Sequence, residues 1–174
     1  MSFGTIFVTI VFVAILMFSS YLLATSTIFT MNTLSQSFKK ANEMQNGKLK
    51  TEIEMVNVSV SNAQNITVVI NNTGKTKILN DDFKYIDVFV YYDIVGAEEG
   101  YTFKWIPYTE AYPPDNDHWT VVSISPDSVN PRNFDPDEQM KIWIRVLPRI
   151  ESGTTGWIEV VTPNGISASS YFFT

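Results

Sequence analysis

Residues 3–24 read FGTIFVTIVFVAILMFSSYLLA, a run of 22 residues without a charged side chain or a proline. About 20 apolar residues are enough for a helix to cross the hydrocarbon core of a membrane. A cleaved secretory signal has basic residues ahead of a shorter apolar run of about 7–15 residues, whereas the first charged residue here is Lys39. The run therefore predicts a retained membrane span rather than a signal peptide that is removed.

A helical pattern continues beyond this span. Apolar residues recur at three- to four-residue spacing at Ile28, Met31, Leu34 and Phe38, and Asn46-Gly47 is a typical stop signal. We expect one helix over residues 2–45, roughly 65 Å long at about 1.5 Å per residue. Because that length is about twice the membrane core, the helix is either an anchor with a short spacer or a pilin-like helix that packs on other copies.

One stripe of the helix is a candidate packing surface. Its members are Phe3, Ile6, Ile10 and Val13. Residues at this spacing lie on one face of an α-helix, so they could contact neighbouring helices. Side chains that face lipid would follow the same pattern.

Charge and composition exclude several classes of function. All 30 charged residues lie in the last 136 residues, where they make up about 22%, an ordinary value for a soluble domain. The chain has no cysteine and a single histidine, His118, which excludes disulfide scaffolds, zinc fingers and thiol catalysis. The net charge of −6 argues against nucleic acid as a partner. We expect no cofactor and no metal.

From residue 51 onward the hydrophobic period changes to two, which is typical of β-strands. The predicted strands cover residues 51–60, 65–71, 83–93, 101–106, 118–124, 140–147, 156–161 and 166–173. Turn signals separate them, including residues 61–64, 72–75 and 163–165. Eight short strands in about 125 residues predict an antiparallel, immunoglobulin-like sandwich. We therefore divide the chain into a helix with a polar stalk at 1–46 and a β-sandwich domain at 47–174.

The acidic residues of two long loops are weak candidates for a calcium site. They are Asp115, Asp117, Asp127, Asp135, Asp137 and Glu138. Their spacing lacks the ligand pattern and the glycine of a calcium-binding loop, and nothing selects a pair of glycosidase acids. We expect them to be solvated turn residues, and we expect His118 to be an ordinary surface histidine. No pattern predicts a catalytic site.

Three N-glycosylation sequons lie within 17 residues, at Asn57, Asn65 and Asn71. Such sequons are typical of exported, glycan-bearing surfaces. The alternative is a pair of asparagine-rich strands that carry no sugar.

The lysines around the span give a conflicting indication of topology. Lys39, Lys40, Lys48 and Lys50 follow the span, and no basic residue precedes it. The positive-inside rule would then place the large domain in the cytoplasm.

Several segments together resemble a known family. The uncharged start MSFGTIFVTIVFV, the strands KTEIEMVNVSV and NITVVINNTGKTKI, the segment DVFVYYD and the closing TPNGISASSYFF resemble the archaellum accessory proteins FlaF and FlaG and, more broadly, archaeal type IV pilin-like proteins. The resemblance implies a membrane helix, an external sandwich and an archaeal cell-surface location. It departs at Thr5, where bacterial-type pilins carry glutamate, and in the absence of a basic leader, which favours an accessory protein over a filament subunit.

Three functions follow as hypotheses. In the first, the chain is a non-enzymatic motor component whose external sandwich binds the surface layer or sister archaellum subunits. In the second, it is a structural filament subunit whose N-terminal helices form the filament core. The third, a tethered sugar-binding module or hydrolase, has the least support. For the first two we expect a membrane-associated homo-oligomer.

Overall fold

The computed structural model describes residues 3–96 and 100–174, which divide into a helical unit up to Gln45 and a β unit from Asn46 onward. Helix α1 spans Phe3–Lys50, so the predicted stop at Asn46-Gly47 is wrong. Gly47 has open space around it and stays helical. The helix ends at Lys50 instead, where the backbone N–H of Lys75 donates to the Lys50 carbonyl at 2.6 Å. Ser2, the predicted first residue of the helix, lies outside the described residues.

No described residue of α1 is buried, and α1 is long and apolar enough to cross a membrane. Seven of its hydroxyl groups are satisfied within the helix, since each of these donates a hydrogen bond to a carbonyl three or four residues earlier. The donors are Thr9, Ser20, Thr25, Thr27, Thr30, Thr33 and Ser37. In hydrocarbon a polar group needs an internal partner, so these side chains are compatible with a lipid environment.

All eight predicted strands are present. They are β1 (Ile53–Ser61), β2 (Asn65–Asn72), β3 (Asp87–Asp93), β4 (Tyr101–Ile106), β5 (His118–Ser125), β6 (Gln139–Arg145), β7 (Thr155–Val161) and β8 (Ser167–Phe173). The third predicted strand, at 83–93, began too early, because Asn80–Tyr85 forms a 3-10 helix and β3 starts at Asp87. The predicted combination of a long apolar helix and an antiparallel sandwich is otherwise confirmed.

The strands form two four-stranded antiparallel sheets, in the orders β1-β2-β6-β5 and β4-β3-β7-β8. Alternate residues point inward and form one core between the sheets. Its largest fully buried side chains include Trp119, Tyr92, Phe83 and Phe134. The same alternation places every other residue of each strand on an outer surface, so each sheet has an outer face of its own.

The Asn72-Thr73-Gly74 turn fixes the end of the first hairpin. The buried Asn72 amide donates to the carbonyls of Thr76 and Phe134 at 2.9 and 3.1 Å, and its oxygen accepts from the Gly74 N–H at 3.2 Å. A Cβ at Gly74 would lie 2.4 Å from the backbone nitrogen of Glu52. Glycine is therefore required there by close backbone approach rather than by an unusual φ.

Candidate functional site: an aromatic sheet face

The outer face of the sheet β4-β3-β7-β8 is covered with aromatic rings. Register places Phe103, Tyr91, Trp157 and Tyr171 directly opposite one another, so that one row of rings crosses all four strands. Directly opposed side chains of antiparallel strands are neighbours, so the row runs from one edge of the sheet to the other. Further rings flank it on both sides. We call this surface the aromatic face: Phe89, Tyr91, Tyr101, Phe103, Trp105, Trp157, Tyr171 and Phe173.

Some of these rings pack against each other, yet they remain exposed to solvent. Phe89 and Phe103 stack with centroids 5.7 Å apart, and Tyr91 and Tyr101 lie 5.4 Å apart. Even so, Phe103 remains 60% exposed. Large exposed apolar patches on soluble domains mark interaction sites, so this face has the properties of a binding surface.

The charged groups on the aromatic face are all acidic. Asp87, Asp93 and Glu159 point outward between the rings, at the same parity of their strands as the aromatics. The Asp87 carboxylate accepts a hydrogen bond from the Trp105 indole N–H at 2.8 Å. The side chain of Lys104 in β4 points to the other side of the sheet, where its ammonium forms a salt bridge with the Asp117 carboxylate at 2.7 Å. Within the described residues, this face therefore carries carboxylates and no cation.

The outer side of the other sheet has a different chemistry. Its residues are mainly Asn, Ser and Thr, with the cations Lys141 and Arg145 on the inner strand β6 and the carboxylate of Glu54 on the edge strand β1. We call this surface the asparagine face: Asn57, Ser59, Asn65, Thr67, Asn71, Lys141, Trp143 and Arg145. Neither cation forms a salt bridge with any other described residue.

All three sequon asparagines lie on the asparagine face, but they differ in accessibility. Asn57 is exposed on the edge strand β1, next to a bulge. The Asn65 oxygen accepts a hydrogen bond from the Trp143 indole at 3.2 Å, and the Asn71 oxygen is fully buried. A glycan must be attached to the side-chain amide, so Asn57 is the best placed of the three acceptors.

The loop acids do not behave as one group. Asp135 and Glu138 are buried, so the expectation of solvated turn residues is wrong for these two. The Asn130 amide donates to both carboxylate oxygens of Asp135 at 3.0 Å, and the Asp135 N–H donates to Glu138 at 2.9 Å. These bonds hold the loop in place, which explains the burial. No three described Asp, Glu or His side chains converge as metal ligands.

A polar network closes the open side of the sandwich. Lys104 bonds to Asp117 and to the Leu147 carbonyl, and the Leu147 N–H donates to Asp117 at 2.9 Å. The Tyr92 hydroxyl nearby donates to the Pro148 carbonyl at 2.9 Å. Burial, reinforced by the negative charge of Asp117, raises the pKa of Tyr92. This network joins the two sheets and contains no reactive arrangement.

A cleft of about 430 Å³ lies beside the edge strand β5. Its walls include Phe83, Tyr108, Glu110 and Arg132. Burial, reinforced by the charge of Glu110, raises the pKa of Tyr108. His118 lies outside this cleft, and its Nδ1 is 2.9 Å from the Asn116 carbonyl oxygen. The cleft pairs no nucleophile with a base.

The four helix residues predicted to pack on neighbours are all exposed on α1: Phe3, Ile6, Ile10 and Val13. Their role in packing stays a prediction. The aromatic face was not predicted from sequence. Its signal was present in β3, where Phe89 and Tyr91 alternate with buried residues, but the row depends on pairing between distant strands.

Comparison with known proteins finds archaeal relatives along most of the chain. It is 28% identical over 173 residues to an uncharacterized protein of Archaeoglobus fulgidus, covering 99% of this chain and 96% of that one. The solved archaeal flagellum of Methanospirillum hungatei is similar over 98% of this chain and 91% of its own, with 14% identity and a TM-score of 0.51. The archaellum periplasmic stator protein FlaG of Sulfolobus acidocaldarius is 22% identical over 70% of this chain and 99% of its own, with a TM-score of 0.49.

The family model for archaeal-type flagellin matches residues 2–172, which includes both the helix and the sandwich. This match confirms the predicted kinship with archaellum proteins, a structural family and not a class of enzymes. The chain is an archaellum component, and it belongs to the archaeal-type flagellin family.

Proposed function

We propose that the protein is a membrane-anchored, non-enzymatic component of the archaellum that works through its binding surfaces. Residues 3–24 of α1 form the anchor, and the sandwich lies outside the cell, because the archaellum is a surface organelle. This orientation opposes the positive-inside expectation from the lysines that follow the span. The binding partners are sister archaellum subunits or the surface-layer protein.

The observation that carries this proposal is the aromatic face. An isolated exposed aromatic residue is ordinary, but eight rings on one sheet face are not. Aromatic residues are enriched in the buried centres of protein interfaces. Several acidic groups of the sandwich, by contrast, form loop and edge hydrogen bonds, such as those of Asp117 and Asp135. Binding therefore accounts for the exposed chemistry better than catalysis does.

A second candidate function is that of a filament subunit. The family model includes the apolar helix as well as the sandwich, as a filament core built from helices would require. In that arrangement α1 packs on copies of itself, and Phe3, Ile6, Ile10 and Val13 supply one packing stripe.

The proposed function is tested in cells that lack the chromosomal copy. The variant Phe103→Ser/Tyr171→Ser removes two rings of the aromatic row, while Tyr85→Ser/Val129→Ser removes two equally exposed apolar side chains elsewhere. We expect the first pair to abolish swimming and the second to preserve it, with both proteins present at normal levels in the membrane. Full motility of the first variant would contradict the proposal.

Purified surface filaments separate the two candidate functions. An anchored component should be absent from sheared filaments and remain with the membrane fraction. Mass spectrometry that finds this chain as the repeating subunit would replace the anchor with the filament role.

A further inference from the structure

We propose that the aromatic face of one copy binds the asparagine face of a second copy, so that the sandwiches stack head to tail. The inference goes beyond the proposed function, because self-association can be measured without the archaellum. It commits to a second copy as the occupant of the aromatic face, for the following reasons of area, charge and symmetry.

The aromatic face is large enough to be one side of a protein interface. Five of its rings are more than half exposed: Tyr101, Phe103, Trp105, Tyr171 and Phe173. At about 200 Å² for each aromatic side chain, they present about 650 Å² of accessible surface. A standard interface buries about 800 Å² on each partner, so these rings with their half-buried neighbours supply most of what is needed.

The charges of the face require a partner with cations. Among the described residues, the carboxylates of Asp93 and Glu159 form no salt bridge. Such groups are costly to bury unless they are paired. A partner that covers the rings must therefore present lysine or arginine to these carboxylates.

The asparagine face of the same chain has that complementary chemistry. Lys141 and Arg145 occupy its central strand without a salt-bridge partner in the described part of the chain. Arginine also packs well on aromatic rings. The Asn65 oxygen accepts a hydrogen bond from Trp143 and the Asn71 oxygen is buried, so we expect a glycan only at Asn57 on the rim of this face.

Symmetry decides how the two faces meet. A two-fold contact between two aromatic faces would bring Asp87, Asp93 and Glu159 of both copies together, and like charges placed opposite each other are destabilising. A head-to-tail contact pairs carboxylates with cations instead. The two faces lie on opposite sides of one sandwich, so this contact repeats from copy to copy. With sheets about 10 Å apart, the repeat along the stack is about 20 Å.

The test uses the full chain, purified in detergent from a bacterial host that does not glycosylate asparagine. One variant damages the aromatic face through Glu159→Lys, which keeps every ring, and a second damages the asparagine face through Lys141→Glu/Arg145→Glu. Sedimentation velocity measures association over a concentration series. We expect each variant alone to raise the concentration for half-association by about 30-fold, as loss of interface hot spots does.

Mixing the two variants gives the decisive result. In a head-to-tail contact, the Glu159→Lys protein keeps an intact asparagine face and the other protein keeps an intact aromatic face. A 1:1 mixture should therefore associate at the wild-type concentration. A two-fold contact, or association through the helices alone, would give no such recovery and would overturn the proposal.

Matched controls separate interface effects from general charge effects. Lys77→Glu/Lys84→Glu makes the same charge change in the segment between β2 and β3, and it should associate like the wild type. Melting of each variant, followed by tryptophan fluorescence, should stay at the wild-type temperature. If Glu159→Lys melts normally and still self-associates like the wild type, the aromatic face is not the contact.

Discussion

The two outer faces of the sandwich lie over the same core and yet differ in almost every surface property. The aromatic face carries eight rings and three carboxylates, whereas the asparagine face carries mainly amides and hydroxyls, one indole, two cations on β6 and one carboxylate on its edge strand. Core packing cannot explain this difference, because both sets of side chains point away from the core. The two sheets therefore share one core and differ in the chemistry of the surfaces that they present.

The largest expected effect comes from the support beneath the aromatic face. A Cβ at Gly156 would lie 2.2 Å from the Phe172 ring, which is itself buried. We expect Gly156→Ala to lower the free energy of unfolding by about 3 kcal/mol through overpacking. Thr155→Ala, the exposed neighbour on the same strand, should change it by less than about 0.5 kcal/mol.

Denaturant titration of tryptophan fluorescence measures both Gly156 and Thr155 variants. All four tryptophans lie in the sandwich, so the signal reports that unit and not the helix. Equal midpoints for Gly156→Ala and the wild type would mean that Phe172 moves aside without cost.

The next effect concerns the support beneath the asparagine face. Asn72→Ala removes the amide that donates to the carbonyls of Thr76 and Phe134, although the Phe134 carbonyl still accepts from the Ile78 N–H at 3.0 Å. Loss of a hydrogen bond that leaves a partly buried polar group unpaired costs about 1–3 kcal/mol, so we expect a loss of about 2 kcal/mol by the same titration. Asn57→Ala on the exposed edge is the control, and a similar loss in both variants would contradict the role assigned to Asn72.

A smaller effect is expected where the two sheets are joined. Tyr92→Phe removes the hydrogen bond to the Pro148 carbonyl, at a cost of about 1 kcal/mol at neutral pH. Because the pKa of Tyr92 is raised in the folded state, the unfolded chain ionises first as pH rises above about 10. This contribution to stability is therefore complete below about pH 10 and falls above it.

The same Tyr92→Phe variant should lose less stability than the wild type between pH 10 and 12. Urea titrations at a series of pH values measure the difference. Parallel pH profiles for the two proteins would show that Tyr92 does not contribute to the alkaline dependence.

The last prediction concerns which of the three sequons on the asparagine face carry a glycan, and it involves no change in stability. We expect a glycan at Asn57 and none at Asn65 or Asn71, whose side-chain oxygens are held or buried. Mass spectrometry of glycopeptides from the native host measures occupancy at each site. Full occupancy at Asn71 would mean that its amide is modified before the sheet forms.

Sequence predicted the parts of this molecule that depend on local pattern. Alternation in β3 and β6 identified the strands, and the charge-free run identified the anchor helix. The stop at Asn46-Gly47 failed because Gly47 meets no steric demand and the helix is ended by backbone groups of a distant turn. Burial of Asp135 was likewise set by a loop partner, Asn130, and not by its own position.

The aromatic face could not be predicted from local sequence pattern either. In β3 both Val88 and Phe89 are apolar, so the sequence did not say which side would be buried. The row of rings arises only when β4, β7 and β8 pair with β3 in a particular register. Register between strands that are distant in sequence is a property of the folded chain, and so is the site. The sequons on β1 and β2 were easier, because one short hairpin fixes their relation.

The most direct test of the central claim, that the aromatic face is buried in the working assembly, uses a single cysteine. The chain has none of its own, so Ser169→Cys places one thiol on the outer side of β8, opposite Glu159. Ser128→Cys, in an exposed loop, is the control. Maleimide labelling is compared between archaella in intact cells and the same protein dissociated in detergent. We predict that Ser169→Cys is protected at least about tenfold in the assembly while Ser128→Cys labels equally in both states, and equal labelling of Ser169→Cys in both states would contradict the account.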